Sequence, residues 1–138
     1  MTLAFIFPGQ GSQEIGMGKA LAEAFPAARA VFEEVDAALG QDLSGLMWGG
    51  DLAELTLTSN TQPALMAHSL AAYRALEANF GINAKDAAFV AGHSLGEYSA
   101  LAASGAISLS DTARLLRIRG NAMQSAVKPG EGAMAALL

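Results

Sequence analysis

The chain has 138 residues, 52% of them hydrophobic and 15% charged, with a net charge of -5 and no cysteine. Such a length suffices for one domain with a sizeable core, and the composition is that of a globular protein. The absence of cysteine removes disulfides, thiolate metal sites and a cysteine nucleophile together. An acidic balance without a basic stripe argues against a nucleic-acid partner, and no run approaches the roughly 18 apolar residues of a membrane span. Met1 to Phe7 lack the basic start of a signal peptide and end at Pro8, so the expected location is the cytoplasm.

In chain order, Leu3 to Phe7 read as a buried strand feeding the loop Pro8-Gly9-Gln10-Gly11-Ser12-Gln13. From Met17 to Leu39, the residues Leu21, Phe25, Ala28, Phe32, Val35 and Leu39 recur at helical spacing. Pro26 interrupts them and allows either two helices or one kinked helix. Residues 40–60, rich in Gly, Asp, Ser and Thr, read as a loop with one short helix near Asp51 to Leu55. A further helix is expected to open at Thr61-Gln62-Pro63 and run to about Asn79, where Gly81 ends it. Its stripe Met66, Leu70, Tyr73, Glu77 and Phe80 is apolar except at Glu77, and alanines on its other faces suit packing on more than one side.

Ala87 to Ala91 read as a second short strand, followed by the tight turn Gly92-His93-Ser94-Leu95-Gly96 and an alanine-rich helix to about Ser104. Ser108 and Asp111 fit a capping box for a helix from Ser110 to about Val127, closed by Pro129 and Gly130. Ala133 to Leu138 read as the beginning of another strand. Strands alternating with helices predict an α/β fold with a largely parallel sheet at its centre and helices flanking it.

The pattern Gly92-x-Ser94-x-Gly96 between a strand and a helix is that of a nucleophile elbow, in which a sharp turn lifts a serine hydroxyl above the sheet. Glycines are needed on both sides because a Cβ there would strike the neighbouring strand or helix. The Leu95 amide, at the start of the new helix, then faces any charge that develops near Ser94, as one half of an oxyanion hole. The competing reading is a serine that merely caps its helix.

The loop at Gln10 invites a phosphate-binding reading that its details refuse. A dinucleotide fingerprint from Gly9 would need Gly or Ala where Glu14 stands, and no Gly-Lys-Ser/Thr follows. Gly9 and Gly11 instead let backbone come close, and the Gln10 amide is the candidate second oxyanion donor.

On a helical wheel Arg119 falls in an apolar arc with Leu115, Leu116, Ala122, Met123, Ala126 and Val127, whereas Arg114 and Arg117 fall on the solvated side. A guanidinium aimed at the core needs an anion: an internal Asp or Glu, or a substrate carboxylate gripped bidentately. The two histidines, His68 and His93, offer no convincing base. Neighbours on a tight turn point in different directions, so His93 reads as a supporting residue beside Ser94, and His68 reads as a buried, hydrogen-bonded residue among alanines. No metal site is expected from two distant histidines.

Four segments in register, Phe7-Pro8-Gly9-Gln10-Gly11-Ser12-Gln13, Thr61-Gln62-Pro63-Ala64-Leu65, Gly92-His93-Ser94-Leu95-Gly96-Glu97-Tyr98-Ser99-Ala100 and Arg119-Gly120, closely resemble the malonyl-CoA:acyl carrier protein transacylases. The resemblance runs the length of the chain. It implies that Ser94 accepts a malonyl group from malonyl-CoA as an ester and passes it to the pantetheine thiol of acyl carrier protein, in fatty acid or polyketide synthesis. It further implies that the Gln10 and Leu95 amides form the oxyanion hole, Arg119 holds the malonyl carboxylate, Gln62 stands close by, and no cofactor is bound permanently.

Members of this family are about twice as long, with the catalytic histidine and a small ferredoxin-like subdomain in the part beyond. Residues 1–130 are therefore expected to be the N-terminal part of the acyltransferase α/β domain, and 131–138 the start of that subdomain. The chain alone is expected to be a poor transacylase. An α/β-hydrolase-type esterase and a non-catalytic carrier-protein docking fragment are the alternatives.

Overall fold

The computed structural model describes residues 2–128 and 131–132. Two short strands, β1 (Ala4–Phe7) and β2 (Phe89–Gly92), pair in parallel with Ala4 opposite Phe89 and Phe7 opposite Gly92. Among the described residues these two strands are the whole sheet. The expectation of a largely parallel central sheet is corrected to this extent: the sheet is parallel but small, five α-helices separate its two strands, and helix dominates the fold.

The first strand was expected to be buried, and only one face of it is. Phe7 is 5% exposed and Phe5 packs edge-on against Tyr73, with ring centroids 5.5 Å apart. On the opposite face Ile6 is 79% exposed and Phe89 70%. Unbroken apolar runs are the mark of strands covered on both sides, so this sheet has one face clothed and one bare among the described residues.

Among the described residues the α-helices are α1 (Lys19–Ala24), α2 (Pro26–Leu39), α3 (Leu43–Gly49), α4 (Leu52–Thr56), α5 (Thr58–Phe80), α6 (Gly96–Ala103) and α7 (Leu109–Ala126). Pro26 separates two helices rather than kinking one. It stands at the first position of α2, where its missing N–H costs nothing, and Phe25 before it is extended. The short helix expected near Asp51 to Leu55 is α4, but residues 40–60 are also helical in α3 and at the start of α5, where a loop was expected. The Asp42 carboxylate accepts from the Gly45 amide and Asp51 from the Glu54 amide, both at 2.9 Å, so polar residues that suggested a loop are N-caps of α3 and α4.

Helix α5 begins at Thr58, one turn earlier than Thr61-Gln62-Pro63 suggested, and contains Pro63. Gly81, in the left-handed conformation, closes it as expected. It is the axis of the molecule: α2 and α7 lie along it and α6 touches it. Thr61 through Ala67 are buried without interruption, because alanines let neighbours approach from several directions. Phe32 and Val35 of α2, Leu43 and Met47 of α3, Leu55 of α4 and Leu116 of α7 complete the core around Met66 and Leu70.

Helix α7 opens with the expected cap, Ser108 Oγ accepting from the Asp111 amide at 3.1 Å. The strand expected over 133–138, the start of the expected subdomain there, and the terminators Pro129 and Gly130 lie outside the described residues.

Candidate active site

The turn between β2 and α6 carries the one non-glycine residue with positive φ among those described, Ser94 at 54°. A serine held there is strained, and packing on both sides holds it. A Cβ on Gly92 would land on the carbonyl group of Gly96 and the Glu97 amide. A Cβ on Gly96 would lie 2.8 Å from the Pro8 carbonyl oxygen and run into the Phe7 carbonyl. The turn is thus jammed backbone to backbone against the end of β1, and Ser94 is left exposed. It does not cap α6, whose N-terminus has no side-chain cap.

The same close approach brings in the loop after β1. The His93 amide donates to the Phe7 carbonyl at 3.0 Å, and a Cβ on Gly9 would lie 2.5 Å from His93 Nδ1. Gly11 differs from Gly9: open space surrounds it, and its φ of +126° is what requires glycine. Between them Gln10 is exposed, with its side-chain amide 3.5 Å from Thr58 Oγ1. Neither the Gln10 nor the Leu95 backbone amide donates to a protein acceptor among the described residues.

Arg119 reaches this turn from α7. Its Nη2 donates to Ser94 Oγ at 3.0 Å, its Nη1 donates to Gln62 Oε1 at 2.6 Å, and its Cζ lies 5.8 Å from the centre of the Tyr98 ring. Gln62 is 1% exposed, and its Nε2 has the Met123 sulfur at 3.2 Å, a weak acceptor. The ion pairs among the described residues join Arg74 to Glu77 and Arg114 to Asp111, and neither includes Arg119. Its positive charge is therefore balanced by no carboxylate there, beside an exposed serine.

The wheel misjudged how α7 faces its neighbours. Its buried residues are Thr112, Ala113, Leu116 and Gly120, while Ile118 is 65% exposed and Leu115 41%. Small residues win the contact because they let α7 come close to α5. A Cβ on Gly120 would sit 2.7 Å from Ser59 Cα and 2.8 Å from the Thr58 carbonyl oxygen. Arg119 lies at one edge of this stripe rather than in the middle of an apolar arc.

Arg117, expected on the solvated side, lies at the other edge. It donates to Asn60 Oδ1 at 2.8 Å and to Gln41 Oε1, and burial lowers its pKa. Tyr98 was missed as a neighbour of Arg119, and Met123 as a neighbour of Gln62. Both were within reach of spacing arguments: Tyr98 stands one turn beyond Ser94, and Met123 one turn beyond Arg119 on the same face.

The histidines stand apart from the hydroxyl. His93 is exposed and packed over Gly9, and neither histidine is hydrogen-bonded to Ser94. His68 is half-buried in a groove lined by Phe5, Phe7, Leu65 and Tyr73. It has no hydrogen-bond partner among the described residues, against expectation. Burial lowers its pKa, and the charge of Glu14 opposes that shift.

The model of the acyl transferase domain family matches residues 4–138. The chain belongs to that family. Among curated relatives of this acyl transferase domain, the malonyl CoA-acyl carrier protein transacylase of Bacillus subtilis is 54% identical over 136 residues, which are 99% of this chain and 42% of that protein. The acyl-carrier-protein S-malonyltransferase of Bartonella henselae has a solved structure that superposes with a TM-score of 0.89 at 64% identity, covering 93% of this chain and 41% of that one. A malonyl-transacylase solved in complex with its type II polyketide synthase acyl-carrier protein gives 0.87 at 45% identity, covering 94% of this chain and 41% of that one. The α/β arrangement is thus shared with solved malonyltransferases, and the chain spans about two-fifths of the length of these relatives.

Proposed function

We propose that this acyl transferase domain moves a malonyl group from malonyl-CoA to the phosphopantetheine thiol of acyl carrier protein, in fatty acid or polyketide synthesis, through an ester on Ser94. The observation that carries this reading is the guanidinium of Arg119, unpaired with any described carboxylate and 3.0 Å from the Ser94 hydroxyl. A cation at that distance suits an acyl chain that ends in a carboxylate. The names of the relatives, and the solved complex of one such enzyme with its carrier protein, agree with it.

In the first half-reaction Ser94 Oγ attacks the thioester carbonyl, the carbon–sulfur bond breaks, and the hydroxyl proton leaves with the coenzyme A thiol. In the second half-reaction the pantetheine thiol attacks the ester and returns a proton to Ser94. The turn after β2 acts as the nucleophile elbow. The free amides of Gln10 and Leu95 receive the carbonyl oxygen as it gains charge, a contribution of roughly 3 kcal/mol per donor in comparable sites. Gln62 and Tyr98 hold Arg119 in place. His68 and His93 are not placed to take the proton, so the base is assigned to the family's length beyond these residues. The reaction needs no cofactor, and its setting is the cytoplasm. Among the described residues no helix is long and apolar enough to cross a membrane.

An esterase would share the elbow but has no use for a guanidinium on the nucleophile, and a docking fragment has no use for strain at Ser94. The test is malonyl transfer to holo-acyl carrier protein by the 138 residues alone and by the same residues joined to the remaining length of the Bacillus subtilis relative. The joined protein is expected to be faster by several orders of magnitude, with malonate on Ser94 by mass spectrometry. Equal rates would overturn the assignment of the base, and free malonate as the product would favour the esterase.

A further inference from the structure

The guanidinium assigned above to the acyl carboxylate is already engaged in the free protein. Nη1 donates to Gln62 Oε1 at 2.6 Å and Nη2 to Ser94 Oγ at 3.0 Å. These two bonds are not equally replaceable. Gln62 is 1% exposed, so water cannot take over its oxygen, and losing Arg119 would leave a buried acceptor unsatisfied. Ser94 is exposed, and water can replace Arg119 on its oxygen. Tyr98 lies under the guanidinium with its ring centre 5.8 Å from Cζ, which steadies the charge as Nη2 changes partner. The bond to Ser94 is the one that yields.

A malonyl group places its carboxylate two bonds beyond the carbonyl carbon that Oγ attacks. It therefore arrives in the space beside Oγ that Nη2 now fills. We infer that Arg119 gates Ser94: it holds the nucleophile's oxygen in the free protein and lets go when a carboxylate takes Nη2. This rests on the acyl-transfer reading of Ser94 and adds to it the way the acyl group is selected. An N–H donated to Oγ occupies a lone pair and fixes the hydroxyl. With Nη2 turned to the carboxylate, Oγ is free to form its bond to the carbonyl carbon while the carbon–sulfur bond breaks and the proton passes to the departing thiol. An acetyl group brings no carboxylate, so it meets a restrained serine. Selection then acts on the attack as well as on binding.

The experiment measures labelling of Ser94 in the full-length protein by a small neutral fluorophosphonate, in which Oγ–P forms, P–F breaks, and the proton and fluoride leave together. Labelling is followed with and without free malonate, with neutral malonamide as the control. The gate predicts that malonate speeds labelling several-fold and malonamide does not. It also predicts that Arg119→Ala labels faster than wild type and no longer responds to malonate. If malonate slows wild-type labelling or leaves it unchanged, Arg119 is a binding residue only and the gate is wrong. The wild-type comparison decides this even if the variant fails to fold, which a thermal melt would reveal. If Ser94 takes neither label nor malonyl, the acyl-transfer reading itself fails, a result distinct from the loss of the gate.

Discussion

Ser94 carries a left-handed backbone that serine tolerates poorly, and the glycines at 92 and 96 make the turn possible by giving up their side chains to the backbone of β1 and α6. What the turn presents is an exposed hydroxyl under a guanidinium. At this scale the decisive residue is Arg119. Arg119→Ala is expected to lower kcat/KM for malonyl-CoA by roughly 100-fold, the usual cost of removing a charge-assisted bond to a desolvated carboxylate. Transfer from acetyl-CoA should rise in the same variant, because the hydroxyl is no longer held. Steady-state rates with the two thioesters check this; an equal fall in both would make the arginine structural. The turns that carry Ser94, Leu95 and Gln10 were legible in the sequence because tight turns and strand-to-helix junctions write themselves in glycines, whereas Gln62 was named only by the family resemblance. Tyr98 and Met123 were not singled out, because which side chains meet Arg119 and Gln62 depends on how α5, α6 and α7 pack.

Helix α7 crosses the first turns of α5 at close range. Gly120 lies on the backbone of Thr58 and Ser59 there, Gln124 Oε1 accepts from the Thr58 amide at 2.9 Å, and Arg117 and Arg119 reach Asn60 and Gln62 on either side. In an isolated helix Gly120→Ala would stabilise by up to about 1 kcal/mol. Here the added carbon meets backbone, which cannot move aside as a side chain can, so a net loss of roughly 1–3 kcal/mol is expected. Thermal melts should show a lower Tm. Malonyl transfer should fall as well, because α7 must shift and carry Arg119 away from Gln62. A variant with raised Tm and unchanged transfer would refute the close crossing. Hydropathy on a wheel could not foresee this face, since it rewards large apolar residues and the contact is made by the smallest.

Across the described residues, α5 is wrapped by its neighbours while one face of the sheet is uncovered, with Ile6 and Phe89 exposed. In the groove between β1 and α5, His68 is half-buried with its pKa lowered by burial, and Glu14 is the charge that acts on it. The unfolded chain therefore takes up a proton before the folded one does as the pH drops. Stability from this residue is complete above its unfolded value of about 6.5 and is lost as the pH falls through that value toward the lower folded one. Denaturant midpoints at pH 7.5 and 5.5 should differ more for wild type than for His68→Leu. An equal difference would mean that His68 does not sense folding.

By itself the sequence determined what local geometry encodes: the glycine turn at Ser94, the cap at Ser108, the end of α5 at Gly81, and the places of the two strands. Only the tertiary structure decided that Pro26 separates two helices, that Asp42 caps a helix where a loop was expected, that Thr112, Ala113 and Gly120 join Leu116 on the buried face of α7, and that Arg119 rests on Ser94, Gln62 and Tyr98 at once. The division has a physical cause. Backbone conformation is restricted residue by residue, and the chain spells those restrictions out locally. Which side chain meets which across dozens of residues depends on how closely two elements can approach, and that is fixed only when both are packed.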